Sequence, residues 1–445
     1  MRVNTKIGLI SLGCAKNLVD SEHMLALLRA QGCEVVEDMA EAEVAIVNTC
    51  GFIEAAKQEA IDTILETAQY KDGGKLRGLV VTGCLAERYR GEIAKELPEV
   101  DAVLGTGSYE DIADAVREVL AGRKAAYFRD AAAAALEGGR SRLTPSYTAY
   151  FKIAEGCSNQ CAYCIIPKLR GKYRSREFDA LLAEARQLSD AGIKELIVIA
   201  QDITKYGLDL PARRRLLPEL LRELCKMDFT WVRLHYLYPD QITDELVEVI
   251  AGEPKIVKYL DIPLQHVSKR ILRAMHRPGG REEFTQLIGM LRERIPGLTL
   301  RTSLIVGLPG ETEEEFAELC GFLQDVGIER VGVFEFSPEE GTEAAELPGQ
   351  IDGETKARRR LIVEELQSNV IDDFNLSRMH QTLDVLTEGY DGDEGLYYGR
   401  SYADSVEVDG KIFFASETAV EPGAFVRVRI DDSLGADLLG VRVEG

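Results

Sequence analysis

The sequence has no uninterrupted apolar run near the roughly 18 residues that a membrane-spanning helix requires. Residues 7–13 are too short a stretch for the hydrophobic region of a secretory signal. A lipoprotein reading of Ser11-Leu12-Gly13-Cys14 fails for the same reason. A cytoplasmic protein without membrane contact is expected. Positive charge is scarce: 53 Lys and Arg face 75 Asp and Glu, a net charge of −22. That balance disfavours broad binding to nucleic acid or anionic lipid and favours basic partners. Histidine is scarce too, at five residues, none within a few positions of the most crowded cysteines. A zinc site of the Cys/His kind, whose ligands come in nearby pairs, is therefore disfavoured. Solenoid repeats and low-complexity tracts are missing.

Cysteine is present nine times, an odd number in a chain whose compartment keeps thiols reduced, so disulfides are not expected. With 445 residues, 45% hydrophobic and 29% charged, the chain is globular and too long for a single core. Residues 6–12, 44–48, 79–82 and 102–104 read as buried parallel strands, with helical spacing over 18–30, 53–68 and 112–120. This is an α/β doubly wound pattern covering residues 1–129. Residues 130–146, with an alanine run, Gly138-Gly139 and a proline, read as a linker holding one helical turn.

A second βα series fills residues 147–375. Strands are expected at 150–153, 196–199, 232–236, 259–262, 300–306 and 331–336, separated by helices such as 181–188, 216–224 and 313–323. Six units make a partial (β/α) barrel with its site at the carboxyl ends of the strands. A long amphipathic helix over 354–374 closes it. Residues 376–445 predict a small antiparallel β-barrel, with strands at 382–387, 397–408, 411–415 and 425–430 and a hairpin turn at Asp409-Gly410.

Cys157, Cys161 and Cys164 form C-x3-C-x2-C directly after the first strand of the partial barrel. Three thiolates can hold three irons of a cubane and leave the fourth open to an outside ligand, whereas iron–sulfur clusters ordinarily take four cysteines. A zinc site short of a ligand, or three unrelated thiols, are the plainer alternatives. Cys14, Cys50 and Cys84 each follow a predicted parallel strand and precede a helix. Carboxyl ends of such strands share a crevice, so three distant cysteines can meet there; three buried thiols would be the plain reading. Cys33, Cys225 and Cys320 lack this context and read as structural.

The C-x3-C loop with Tyr163 before its last cysteine resembles the radical S-adenosylmethionine (SAM) superfamily. The resemblance implies that SAM chelates the open iron and is cleaved reductively to methionine and a 5′-deoxyadenosyl radical. Other strand ends then become candidate SAM contacts: Gln201, Asp202, Gln265, and Arg301, Ser303, Ile305 and Gly307, which alternation puts on one face. His266 is a candidate acid or base. Gln201, Asp202, Gln265 and His266 are each, taken alone, more often ordinary loop residues or satisfied hydrogen-bonders.

With both cysteine trios included, the whole chain resembles the radical SAM methylthiotransferase family. That resemblance implies an N-terminal domain with an auxiliary 4Fe–4S cluster on Cys14, Cys50 and Cys84, a radical SAM barrel with the second cluster, and a C-terminal TRAM barrel that docks the substrate. It implies insertion of SCH3 into a C–H bond and a partner protein that donates electrons. Segments 11–22, 234–239 and 399–404, with Glu339 and Glu340 in 337–342, resemble the branch that acts on an aspartate of small-subunit ribosomal protein S-twelve, free or in the ribosome. The tRNA-acting branch, modifying adenosine, and a non-catalytic iron–sulfur scaffold are the alternatives. Residues 376–445 carry six Lys and Arg against fourteen Asp and Glu. A barrel gripping phosphates should be basic, so direct tRNA binding is not expected.

Overall fold

The computed structural model describes residues 4–444. The first unit is a six-stranded parallel sheet of β1 (Lys6–Ser11), β2 (Glu34–Val36), β3 (Val44–Thr49), β4 (Gly78–Gly83), β5 (Ala102–Leu104) and β6 (Ala125–Tyr127), in the order 2-1-3-4-5-6. Its strands are apolar on both faces because both faces are covered. Ala45, Val47, Leu79 and Val81 pack with Ala60 and Ile64 of helix Glu54–Ala68. Val44, Ile46 and Val80 pack on the other side with Met24 and Leu28 of helix Ala15–Ala30 and with Val116 of helix Ile112–Leu120. The strand order reverses beside β1, which places a crevice at the carboxyl ends of β1, β3 and β4.

The second unit contains β7 (Thr148–Lys152), the short β8 (Ala154–Glu155) and β9 (Arg174–Ser175), then β10 (Glu195–Ile199), β11 (Trp231–Leu234), β12 (Ile256–Asp261), β13 (Thr299–Val306) and β14 (Arg330–Glu335). Strands β7 and β10 to β14 form one open parallel sheet in chain order, and β8 pairs with β9 beside it. Phe151, Leu196, Val198, Leu234, Leu260 and Leu304 face outward into the main core. The alternate residues Tyr150, Ile197 and Ile199 face the lumen and pack with Val19 of helix Ala15–Ala30. The first unit thus closes the open side of the partial barrel. Helix Gly353–Ser377 packs on its far edge against β14.

The third unit is a closed barrel of β15 (Thr382–Asp391), β16 (Leu396–Arg400), β17 (Ile412–Ala415), β18 (Phe425–Leu434) and β19 (Asp437–Val443) around Val385, Phe414, Val428 and Ile430. It departs from the sequence expectation in three ways. β19 completes the barrel and was not expected, and it runs parallel to β17. The expected strand 397–408 ends at Arg400, and Asp409-Gly410 makes no hairpin. The reason is packing: residues 401–411 leave the sheet to plug the base of the lumen. Val406 joins Tyr150, Ile197 and Ile199, the Ser405 hydroxyl lies 2.9 Å from His235 Nε2, and the Tyr259 hydroxyl donates to Asp409 at 2.7 Å.

The short strands β6, β8 and β9 were also not expected. The segment 130–146 holds its single turn at Ala131–Ala133 and is tied down. Arg174 donates to the carbonyl oxygens of Ala131, Ala132 and Ala134, while Arg140 pairs with Glu22 and Glu184. Among the described residues no disulfide forms. Among the described residues no helix is long and apolar enough to cross a membrane.

Candidate active site

Cys14, Cys50 and Cys84 stand at the carboxyl ends of β1, β3 and β4, three neighbouring strands. Neighbours lie about 5 Å apart, so topology alone gathers the three residues. Gly13 has φ of +83°, and a Cβ there would meet the Cys50 Cβ at 2.7 Å. Gly13→Ala is expected to cost about 1–2 kcal/mol in backbone strain and to push Cys50 out of line. Iron and sulfide analysis after anaerobic reconstitution should then find one cluster instead of two; full loading would refute the argument.

Cys157, Cys161 and Cys164 lie in the loop between β8 and helix Ile166–Arg170. The Cys157 N–H donates to the Gly171 carbonyl at 3.1 Å, and that of Cys164 to the Cys161 carbonyl at 3.0 Å. Donors surround the Cys161 sulfur: Arg277 Nη1 at 3.8 Å and the Tyr238 hydroxyl at 3.6 Å. Hydrogen bonds to sulfur are what a ligating thiolate needs around it. Among the described residues no group of His, Cys, Asp and Glu closes on a point that one metal ion could fill. A cubane, which takes each thiolate on a different iron, does not require that. Burial pushes the Cys84 and Cys164 thiols up to about 12.

A buried network joins the two trios. Arg170, six residues after Cys164, donates through Nη1 to Asp20 at 2.9 Å and to Glu155 at 3.0 Å, and through Nη2 to the Asn17 side-chain oxygen at 2.6 Å. It also hydrogen-bonds the Cys84 side chain. Lys152 pairs with the same two carboxylates. Burial would raise the Glu155 carboxyl, yet Arg170 and Lys152 outweigh it and hold it well below the usual range. Asn17 in turn donates to the carbonyl oxygens of Leu12 and Thr49, behind Cys14 and Cys50. A second clamp lies across the cleft, where Glu339 accepts from Arg88 at 2.6 Å and pairs with Lys57 at 3.1 Å.

The residues singled out as SAM contacts separate into two groups. Tyr163 hydrogen-bonds Cys161 and, like Ile305, packs against the apolar cluster of Ala162, Met275 and Leu308 beside the cysteine loop. Gln201 donates to Glu155 at 2.9 Å and keeps a buried, unpartnered Oε1. Gln265, at φ of +72°, is bridged to Leu304, and its N–H donates to the Ser303 carbonyl. Ser303 and Ile305 share the lumen face of β13 with Arg301.

The others are committed elsewhere. Arg301 lies near the amino end of β13, pairs with Asp261 at 3.1 Å, and faces the cavity shared with Arg330 and Asp409 of the third unit. The Asp202 carboxylate is fully buried, caps the turn at Thr204 and accepts from Asn159 of the cysteine loop. Gly307, at φ of +75°, donates to Glu311 under Lys356. His266 is sealed from solvent; its Nδ1 accepts from the Ser268 N–H and its Nε2 stands 3.9 Å from Glu311. It cannot act as an acid or base at the mouth from there. Sequence reasoning missed Lys16, Glu155, Arg170, Tyr238 and Arg277. Only the closeness of Glu155 and Arg170 to the cysteine loop could have marked them.

The chain matches three family models: uncharacterized protein family UPF0004 over residues 6–105, the radical SAM superfamily over 151–323 and the TRAM domain over 381–443. Among solved structures, the radical SAM methyltransferase TsrM from Kitasatospora setae shares the fold, with a TM-score of 0.53 at 15% identity over 74% of this chain and 73% of that one. Ribosomal protein uS12 methylthiotransferase RimO of Caldanaerobacter subterraneus subsp. tengcongensis is 49% identical over 98% of this chain and 99% of its own length. RimO of Clostridioides difficile (strain 630) is 47% identical over 98% of each. The chain belongs to the RimO family of ribosomal protein uS12 methylthiotransferases.

Proposed function

We propose that the protein is a radical SAM enzyme that replaces a hydrogen by SCH3 at the β-carbon of an aspartate of ribosomal protein uS12. The observation that carries this reading is the pair of cysteine trios, each gathered in one place, with Arg170 hydrogen-bonded to Cys84 of one and to Glu155, two residues before Cys157, of the other. Cys157, Cys161 and Cys164 would hold the cluster that binds SAM, and Cys14, Cys50 and Cys84 the second one. When bound, these groups supply the radical that removes the substrate hydrogen and the methylthio group that replaces it.

The chain's own residues orient and enclose. Tyr238 and Arg277 aim donors at Cys161, and Gln201, Ser303 and Ile305 line the adjoining lumen. Helix Ala15–Ala30 closes the open side of the barrel against water. The electron donor is a separate protein in this reading, and the enzyme works in the cytoplasm.

The third unit supports a basic partner. Arg378, Arg400 and Asp404 are buried in its seam with the barrel. Glu388 and Asp409 are engaged there too, with Arg400 and Tyr259, so outside that seam four cations stand against eleven acids. Such a surface complements a basic ribosomal protein and repels a phosphate backbone.

The test is anaerobic turnover of reconstituted enzyme with SAM and reductant, offering uS12 and tRNA together. Mass spectrometry should find SCH3 in place of hydrogen on a uS12 aspartate. Modified tRNA would establish the other branch, and cleaved SAM with neither product would refute both substrates.

A further inference from the structure

Buried cations in this protein are almost all paired with carboxylates. Lys152, Arg170, Arg233, Arg330, Arg359 and Arg400 each have one within 3.5 Å. Arg277 and Lys356 lack one but donate to the carbonyl oxygens of Pro263 and Phe336. Lys16 is different. It is 7% exposed, and among the described residues no carboxylate or carbonyl pairs with its ammonium. That group rests 3.4 Å from the centre of the Tyr236 ring and shares a hydrogen bond with the Tyr236 side chain.

Its position is equally particular. Lys16 lies two residues after Cys14, on the first turn of the helix that closes the barrel. Tyr236 follows β11 at the carboxyl end of the sheet. The ammonium therefore stands where the first trio meets the barrel mouth. The nearby carboxylate, Asp261, is already engaged by Arg301 at 3.1 Å and by the Tyr236 N–H at 3.3 Å. Apart from the Cys14 sulfur two residues away, no anion offsets the burial of this ammonium, and an incoming carboxylate would do so.

We infer that Lys16 receives the side-chain carboxylate of the substrate aspartate, and so selects an acidic side chain for modification. The inference rests on the uS12 reading above. In an aspartate the carbon that takes SCH3 is bonded directly to the carboxylate carbon. A lysine fixing the carboxylate therefore fixes the reacting carbon one bond away, between the two trios. A nucleobase offers no such anion.

The test is a double-mutant cycle on binding, with holoenzyme and SAM but no reductant, so that no turnover occurs. Purified uS12 carries either the native aspartate or asparagine at the modified position. Unaltered enzyme should bind the aspartate form roughly ten- to a hundredfold more tightly, the worth of a hydrogen bond between charged groups. Lys16→Met should bind both forms alike, at the weaker level, while Lys16→Arg should keep most of the preference. If methionine there prevents folding, Lys16→Gln carries the same comparison.

A preference that survives in Lys16→Met would overturn the assignment and leave Lys16 as a counter-ion of the Cys14 site. Failure of the unaltered enzyme to bind or modify uS12 would instead refute the substrate itself.

Discussion

Glu195→Ala is expected to destabilise the protein by about 3–5 kcal/mol, because it breaks a buried pair from one side. Glu195 opens β10 at the base of the partial barrel and is wholly buried. It accepts from Arg233 at 2.8 Å and from Arg400 of the third unit at 2.6 Å. Removing the carboxylate leaves Arg233 with the Ser401 and Tyr402 carbonyl oxygens and the Trp231 and Tyr259 rings, none of which carries a countercharge. Arg400 keeps Glu388, which is less buried.

The effect should also depend on pH. Burial would raise the Glu195 carboxyl, but Arg400 and Arg233 outweigh it and hold it at about 2. Its unfolded value is about 4.3, so the ionised pair contributes about 3 kcal/mol above that pH. The contribution disappears as pH falls from about 4 towards 2. Urea midpoints of Glu195→Gln and unaltered protein should therefore differ at pH 6 and converge near pH 2. Equal midpoints at pH 6 would show that the two guanidinium groups find other partners.

Cys157→Ala and Cys14→Ala should separate the two halves of the chemistry. Cys157→Ala removes a ligand from the loop at the barrel mouth and is expected to reduce SAM cleavage to background. Cys14→Ala leaves that loop intact, so SAM should still be cleaved while SCH3 transfer to uS12 ceases. Each variant should retain one cluster by iron and sulfide content. Cleavage lost equally in both variants would refute the assignment of one role to each trio.

Much of the architecture was legible because it rests on local rules. The three parallel strands ahead of Cys14, Cys50 and Cys84 are apolar on both faces, and strand order brought their ends together. The barrel strands followed for the same reason. Residues 401–411 were not legible as a plug, since Ala403 and Val406 look like strand positions until the lumen that receives them is known.

Glu339 carries a related lesson. In the sequence it lies in the 337–342 segment that resembles the branch acting on ribosomal protein. In the structure it is buried against Lys57 and Arg88, so its charge holds two units in register. An arginine there would put three cations together. The SAM contacts were least legible. Asp202, Gly307 and His266 sit at strand ends, as ligands do, but cap a turn, anchor a loop and fill a core. Lys16 and Arg170 gain meaning only when two units distant in sequence meet.

The plug at the base of the lumen bears on how the chain is made. Residues 401–411 follow β14 by more than sixty positions, yet they fill the middle unit, whose own strands end with β14. Translation proceeds from the amino terminus, so the barrel strands emerge long before the segment that seals them. Until then Tyr150, Ile197 and Tyr259 line an opening with nothing beneath it. The middle unit can assemble its outer core early, but its interior closes only once residues 401–411 have emerged. Premature termination after residue 375 should therefore yield an aggregation-prone barrel instead of a smaller working enzyme.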